Sequence, residues 1–140
     1  ITSMKSSYYE ISGNIMSINF AYEKDHTTYY PDLIKVSVSL ENGEIISFHQ
    51  RGYLANHRER TTKTPEITQE QAAKKLSPLL TVQQCKLAVI PTQGLDERFC
   101  YEFTCKGQNG EDILVYLNAE TGAEEQILIL LINENGTLTA

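Results

Sequence analysis

Residues Ile113–Ile132 read ILVYLNAETGAEEQILILLI: an apolar run, a Glu-Thr-Gly turn and a second apolar run, the pattern of a β-hairpin. Residues Ile34–Phe48, IKVSVSLENGEIISF, carry the same plan 79 positions earlier. Ile34 falls on Ile113, Val36 on Val115 and Gly43 on Gly122. A hairpin written twice at one spacing implies two copies of a small module. The 140 residues suit one compact domain or two small subdomains sharing a core.

Taken in order, residues 1–7 are polar and read as a frayed end. Tyr8–Tyr22 is strand-like, with Ile11, Ile15, Ile18 and Phe20 apolar and a bulge expected near Gly13-Asn14. Glu23–Asp32 reads as a connection whose turn is Tyr30-Pro31-Asp32. In Ile34–Leu40 the alternation is clean: Ile34, Val36, Val38 and Leu40 point one way, Lys35, Ser37 and Ser39 the other. Asn42-Gly43 predicts a type I′ turn, in which both central residues take φ > 0. Glu44–His49 then returns as the partner strand. Arg51–Thr64 has neither helix nor strand period. With His57, Arg58, Arg60 and Lys63 it is the basic stretch of the chain and a natural boundary.

The second copy opens on a helix. Thr68 and Gln71 predict a capping box, with Ile67 placed as a hydrophobic staple. Ala72, Leu76, Leu79 and Leu80 form one apolar stripe, and Pro78 ends the last turn. Lys86–Ile90 is a short strand closed by Pro91 and Gly94. Arg98–Cys105 alternates Phe99, Tyr101, Phe103 and Cys105 against Cys100, Glu102 and Thr104. Gly107–Asp112 is a turn before the hairpin, and Asn135-Gly136 is a last one. Short connections throughout call for antiparallel pairing, so the expected fold is α+β, small antiparallel sheets with one covering helix.

The first copy shows no preceding helix and no evident first strand, so it reads as truncated, and a chain opening on Ile1 reads as a piece of a longer one. The boundaries are 1–56 for the truncated unit, 57–65 for a linker and 66–140 for the complete unit. Ile127–Ile132 is apolar at every position and asks for burial on both faces. The first unit, another protein or a second copy in a homodimer would supply the cover.

A net charge of −6 without a basic face excludes the usual nucleic-acid binder. The longest apolar run, Ile127–Ile132, falls far short of the roughly 20 residues that span a bilayer. No signal peptide is visible. The three cysteines, Cys85, Cys100 and Cys105, are an odd number without C-x-x-C spacing, which rules out a fully paired disulfide framework and gives no zinc or redox motif. Cys105 shares the phase of the aromatic residues and reads as a small buried hydrophobe. Cys100, on the opposite strand face, is the expected exposed thiol. His26, His49 and His57 fit no H-E-x-x-H spacing, and there is no G-x-S-x-G or P-loop. No enzyme, metal or cofactor is expected.

The segment GYLANHRER, Gly52–Arg60, allows two readings. In one, Tyr53, His57, Arg58 and Arg60 form an aromatic-basic patch for an acidic partner or a glycan. In the other, Tyr53 and Leu54 pack the hairpin end while Asn56 and His57 hydrogen-bond the linker.

The helix-strand-strand-hairpin order, with YEF at Tyr101–Phe103 and VYLNAETG at Val115–Gly122, resembles a PepSY domain, a cystatin-like fold. YPDLIKVSVSLENGEIISFHQRGYL at Tyr30–Leu54, NHRER at Asn56–Arg60 and LAVIP at Leu87–Pro91 resemble the C-terminal PepSY-repeat region of the YpeB family of spore germination proteins. The resemblance covers the chain from about Tyr30 to its end. It implies a non-catalytic interaction module whose partner is the cortex-lytic hydrolase SleB. It also implies a site between the spore inner membrane and the cortex, reached through an N-terminal anchor absent from this chain. Inhibition or chaperoning of a secreted peptidase, as in other PepSY proteins, and peptidoglycan binding are the alternatives.

Overall fold

The computed structural model describes residues 4–58, 63–92, 96–133 and 136–139. The chain is mostly β. Its strands are β1 (Met4–Ser12), β2 (Ile15–Lys24), β3 (Thr27–Ser39), β4 (Ile45–His49), β5 (Thr81–Pro91), β6 (Glu97–Lys106), β7 (Asp112–Asn118), β8 (Glu124–Asn133) and β9 (Gly136–Thr139). Two short helices, α1 (Arg51–Asn56) and α2 (Gln69–Ala73), lie between β4 and β5 in sequence. Two compact units emerge, Ile1–Arg60 with Leu131–Leu138, and Thr61–Leu130 with Thr139–Ala140.

In the first unit β1, β2, β3 and β4 pair in sequence order, each antiparallel to the next. The stretch expected to fray is therefore already strand from Met4, and the first strand thought missing is β1. Tyr8–Tyr22 is two strands and not one, because Gly13 takes φ +61° and turns the chain where a bulge was expected. β2 and β3 are joined by the two residues Asp25 and His26, at φ +51° and +63°. The primed turn expected at Asn42-Gly43 sits here, on residues whose short polar or ring side chains tolerate the left-handed region.

In the second unit β5, β6, β7 and β8 form the same antiparallel meander. The β3–β4 and β7–β8 hairpins match bond for bond. The Ser39 N–H donates to the Glu44 carbonyl and the Gly43 N–H to that of Ser39; Asn118 donates to Ala123 and Gly122 to Asn118. Side chains follow suit, with Ser39 Oγ and Asn118 Oδ1 accepting from Glu41 N and Glu120 N. Asn42 Oδ1 and Thr121 Oγ1 accept from Glu44 N and Ala123 N. Each is a four-residue loop in which the glycine alone is left-handed, Gly43 at +74° and Gly122 at +77°. Asn42 stays on the ordinary side, which corrects the type I′ expectation. Strand register also repeats: Val36 faces Phe48 as Val115 faces Ile127, and both pairs of strands shift register one step nearer the turn.

Among the described residues, most of the buried apolar side chains belong to the second unit. Phe103, Val115, Leu117 and Cys105 are buried on one face of its sheet, and Cys100, Leu114 and Tyr116 on the other. Thr68 caps α2 through both bonds of the capping box, Thr68 Oγ1 accepting from Gln71 N and Gln71 Oε1 from Thr68 N. Just ahead of it the backbone is tied to the β7–β8 turn, since Glu66 and Ile67 N–H both donate to the Ala119 carbonyl. The Tyr101 hydroxyl donates to the Ile67 carbonyl at 2.8 Å. The helix is shorter than its apolar stripe, however. Lys75 and Leu76 bond back three residues, and Leu79 is 58% exposed. Pro78 biases Ser77 away from the α region and lacks an N–H, so the stripe ends early.

Other differences are local. β5 runs from Thr81, well before Lys86, because its pairing with β6 extends to Thr81↔Lys106. Ile127 is 49% exposed, so the hairpin's second strand is not buried at every position. The side chains of residues 129–132, together with Gly94 and Asn135, lie outside the described residues.

Cys100 is buried, against the expectation of an exposed thiol, because both faces of β6 are covered. All three cysteines are free thiols. Burial, reinforced by the Glu125 carboxylate, pushes the Cys100 thiol up to about 12, and burial with Glu102 pushes Cys85 up to about 11. Folding therefore holds these protons. The stability it contributes is present below the ordinary thiol value of 9.0 and is lost as pH rises through about 11 to 12. At pH 8 the native thiols are expected to resist an aromatic disulfide reagent and to react fully only in denaturant. Rapid reaction of native Cys100 would contradict this burial.

Candidate functional site

Tyr30, Pro31 and Asp32 are not a turn. β2 pairs Ala21 with Leu33 and Tyr22 with Tyr29, so the three residues between form a bulge within β3. A bulge is where a strand tolerates proline, since no ladder bond is asked of its nitrogen. It also re-aims side chains. The Asp32 carboxylate, fully buried, accepts a hydrogen bond from His57 Nδ1 at 2.8 Å.

His57 is brought there by α1, which the sequence did not announce. Gly52 lets the helix lie on the bulge: a Cβ at this position would stand 3.2 Å from the Pro31 carbonyl oxygen and 3.3 Å from that of Leu33. Asn56 then fastens the far end, its Nδ2 donating to the Pro31 carbonyl at 3.0 Å and to that of Gly52 at 2.9 Å. Tyr53 stacks on the His57 ring, with centroids 4.3 Å apart and planes 13° apart. Tyr22 meets the same ring edge-on at 4.6 Å, and Tyr29 lies 5.6 Å beyond Tyr22. A buried carboxylate is costly without donors, and here an imidazole in an aromatic surround supplies one.

Of the four residues expected to form a patch, Tyr53 and His57 come together but turn toward β3. Arg58 is exposed, and Arg60 lies outside the described residues. Leu54, expected to pack, is 67% exposed. Sequence reasoning missed Asp32, Tyr22 and Gly52. Tyr53 and His57 are four apart, as are Gly52 and Asn56, and that helical spacing was the available signal.

An Asp–His pair could orient a general base. Among the described residues no hydroxyl or thiol is hydrogen-bonded to His57. The other histidines are elsewhere, His26 in the β2–β3 turn and His49 on β4. What the arrangement does is clamp α1 to β3.

Residues 1–63 match the family model described as YpeB sporulation, PepSY1 and PepSY2 domains. A sporulation protein YpeB from Halalkalibacterium halodurans is 40% identical over 108 residues, 77% of this chain and 24% of that protein. The Bacillus subtilis protein of the same name is 36% identical over 98 residues, 70% of this chain and 22% of that one. The Bacillus megaterium YpeB C-terminal domain superimposes with a TM-score of 0.83 at 31% identity, covering 93% of this chain and 57% of that one. The chain belongs to the YpeB family. It spans about a quarter of the length of these curated YpeB relatives. They are named for sporulation, not for an enzymatic activity. Tyr53, His57 and the bulge that receives them lie inside the stretch matched by the YpeB model.

Proposed function

We propose that this YpeB-family chain is a non-catalytic PepSY interaction module. It stabilises, localises or regulates a spore cortex-lytic hydrolase of the SleB type. The observation that carries the reading is family membership, argued from 40% identity across 77% of the chain. The site geometry is compatible with it, since His57 and Asp32 hold a helix in place and have no nucleophile bonded to them among the described residues. The proposed location is extracytoplasmic, between the spore inner membrane and the cortex. Among the described residues no helix is long and apolar enough to cross a membrane.

The test is retention of the cognate hydrolase by the immobilised full-length protein, followed by protease challenge of the complex. Retention with slower hydrolase degradation is the expected result. The same preparation titrated into a cortex-lytic assay separates stabilisation from inhibition, because an inhibitor lowers activity in proportion to dose. Absence of both retention and protection would sink the proposal.

A further inference from the structure

β4 stands at the edge of the first unit's meander, and among the described residues its ladder is with β3 alone. Its side chains are unusually apolar for an edge: Ile45 is 67%, Ile46 54% and Phe48 50% exposed. The matched hairpin makes the anomaly plain. Where the first unit has Ile45 and Ile46, the second, in the same register after the same turn, has the exposed carboxylates Glu124 and Glu125. Charged residues are the ordinary guard of a sheet edge, and residues 45–48 carry none.

The charges lie instead at the two ends of the strand, and they differ in sign. Glu41 and Glu44 are exposed at the turn end; Lys35 and Arg51 are exposed at the other. Such an edge is complementary to itself when reversed. An antiparallel second copy that sets Ile46 and Phe48 of one chain opposite Phe48 and Ile46 of the other puts Glu44 opposite Gln50, at the end where Arg51 follows. This is the isologous contact of a two-fold dimer. A partner of uniform charge would meet repulsion at one end, whereas a second copy meets attraction at both.

We propose that the β4 edge is a self-association surface that joins two copies of this chain antiparallel. The inference does not depend on the hydrolase reading. The register shift between Ser37 and Val38 leaves Ile46 as an extra residue in β4, so the new ladder is short and side chains carry much of the contact. The contact is small, and the dimer is expected to be concentration-dependent and weakened by salt.

Light scattering and sedimentation of the chain over a concentration series test this, against the 15.8 kDa of one copy. The wild type is expected to approach twice that mass, and Ile46→Lys to stay at one copy. Glu44→Arg and Arg51→Glu are each expected to weaken association about tenfold or more by setting like charges together. An equimolar mixture of those two variants is expected to recover it as a heterodimer, because each chain then offers the charge the other lacks. Recovery on mixing also shows that both variants are folded. A wild type that stays monomeric, a dimer indifferent to Ile46→Lys, or a mixture no better than the single variants overturns the proposal.

Discussion

Phe103→Ala is expected to destabilise the second unit by about 3–5 kcal/mol. The phenyl ring is fully buried in the middle of β6, facing Cys85 on β5 and Val115 on β7. Truncation removes its transfer energy and leaves a cavity that two flanking strands cannot easily close. The loss rivals the whole stability of a small domain, on the order of 5–15 kcal/mol. Urea unfolding followed by circular dichroism and tyrosine fluorescence measures it; the chain has eight tyrosines and no tryptophan. Phe48→Ala is the internal control. Phe48 is 50% exposed on the edge strand, and its loss should cost below about 1 kcal/mol in the monomer. Equal losses at the two positions would show that Phe103 is not the packed centre of its sheet.

The contrast between those two phenylalanines also marks what the sequence could and could not say. Alternation identified strands well wherever one side chain in two is apolar, as in β3 and β6, because side-chain direction in a strand has a period of two. The capping box at Thr68 was legible because its signal lies within four residues. Turn type was less so. Asn-Gly favours a primed two-residue loop, yet the chain closes a four-residue loop at Gly43 and puts its primed turn on Asp25-His26, which carry no glycine. Strand pairing overrode local preference at both places. Proline misled in the opposite direction. Pro31 reads as a break, but a bulge opposite Ala21 and Tyr22 absorbs it and leaves β3 whole. The clamp was hidden for a different reason: Asp32 and His57 are 25 residues apart, and no periodicity links them.

That clamp carries the second large effect. Asp32→Ala is expected to destabilise the first unit by about 1–2 kcal/mol, because it removes the clamp's hydrogen bond together with the buried charge. His57→Ala should cost more, about 3 kcal/mol, because it leaves the fully buried Asp32 carboxylate without the imidazole donor. The two losses are not independent. Once the carboxylate is gone His57 has lost its acceptor, so the double variant is expected to fall short of the sum by about 1 kcal/mol. A local readout separates the clamp from general loosening. The Leu54 and His57 amides donate within α1, to Gln50 and Tyr53. Hydrogen exchange at both should accelerate in Asp32→Ala, while amides paired between β1 and β2 change little. Strict additivity with unchanged α1 exchange would mean that Asn56 and Gly52 hold the helix alone. In that case His57, exposed on one side and free of a structural duty, would return to the aromatic-basic patch with Tyr53 and Arg58, and the search for the partner surface should begin there.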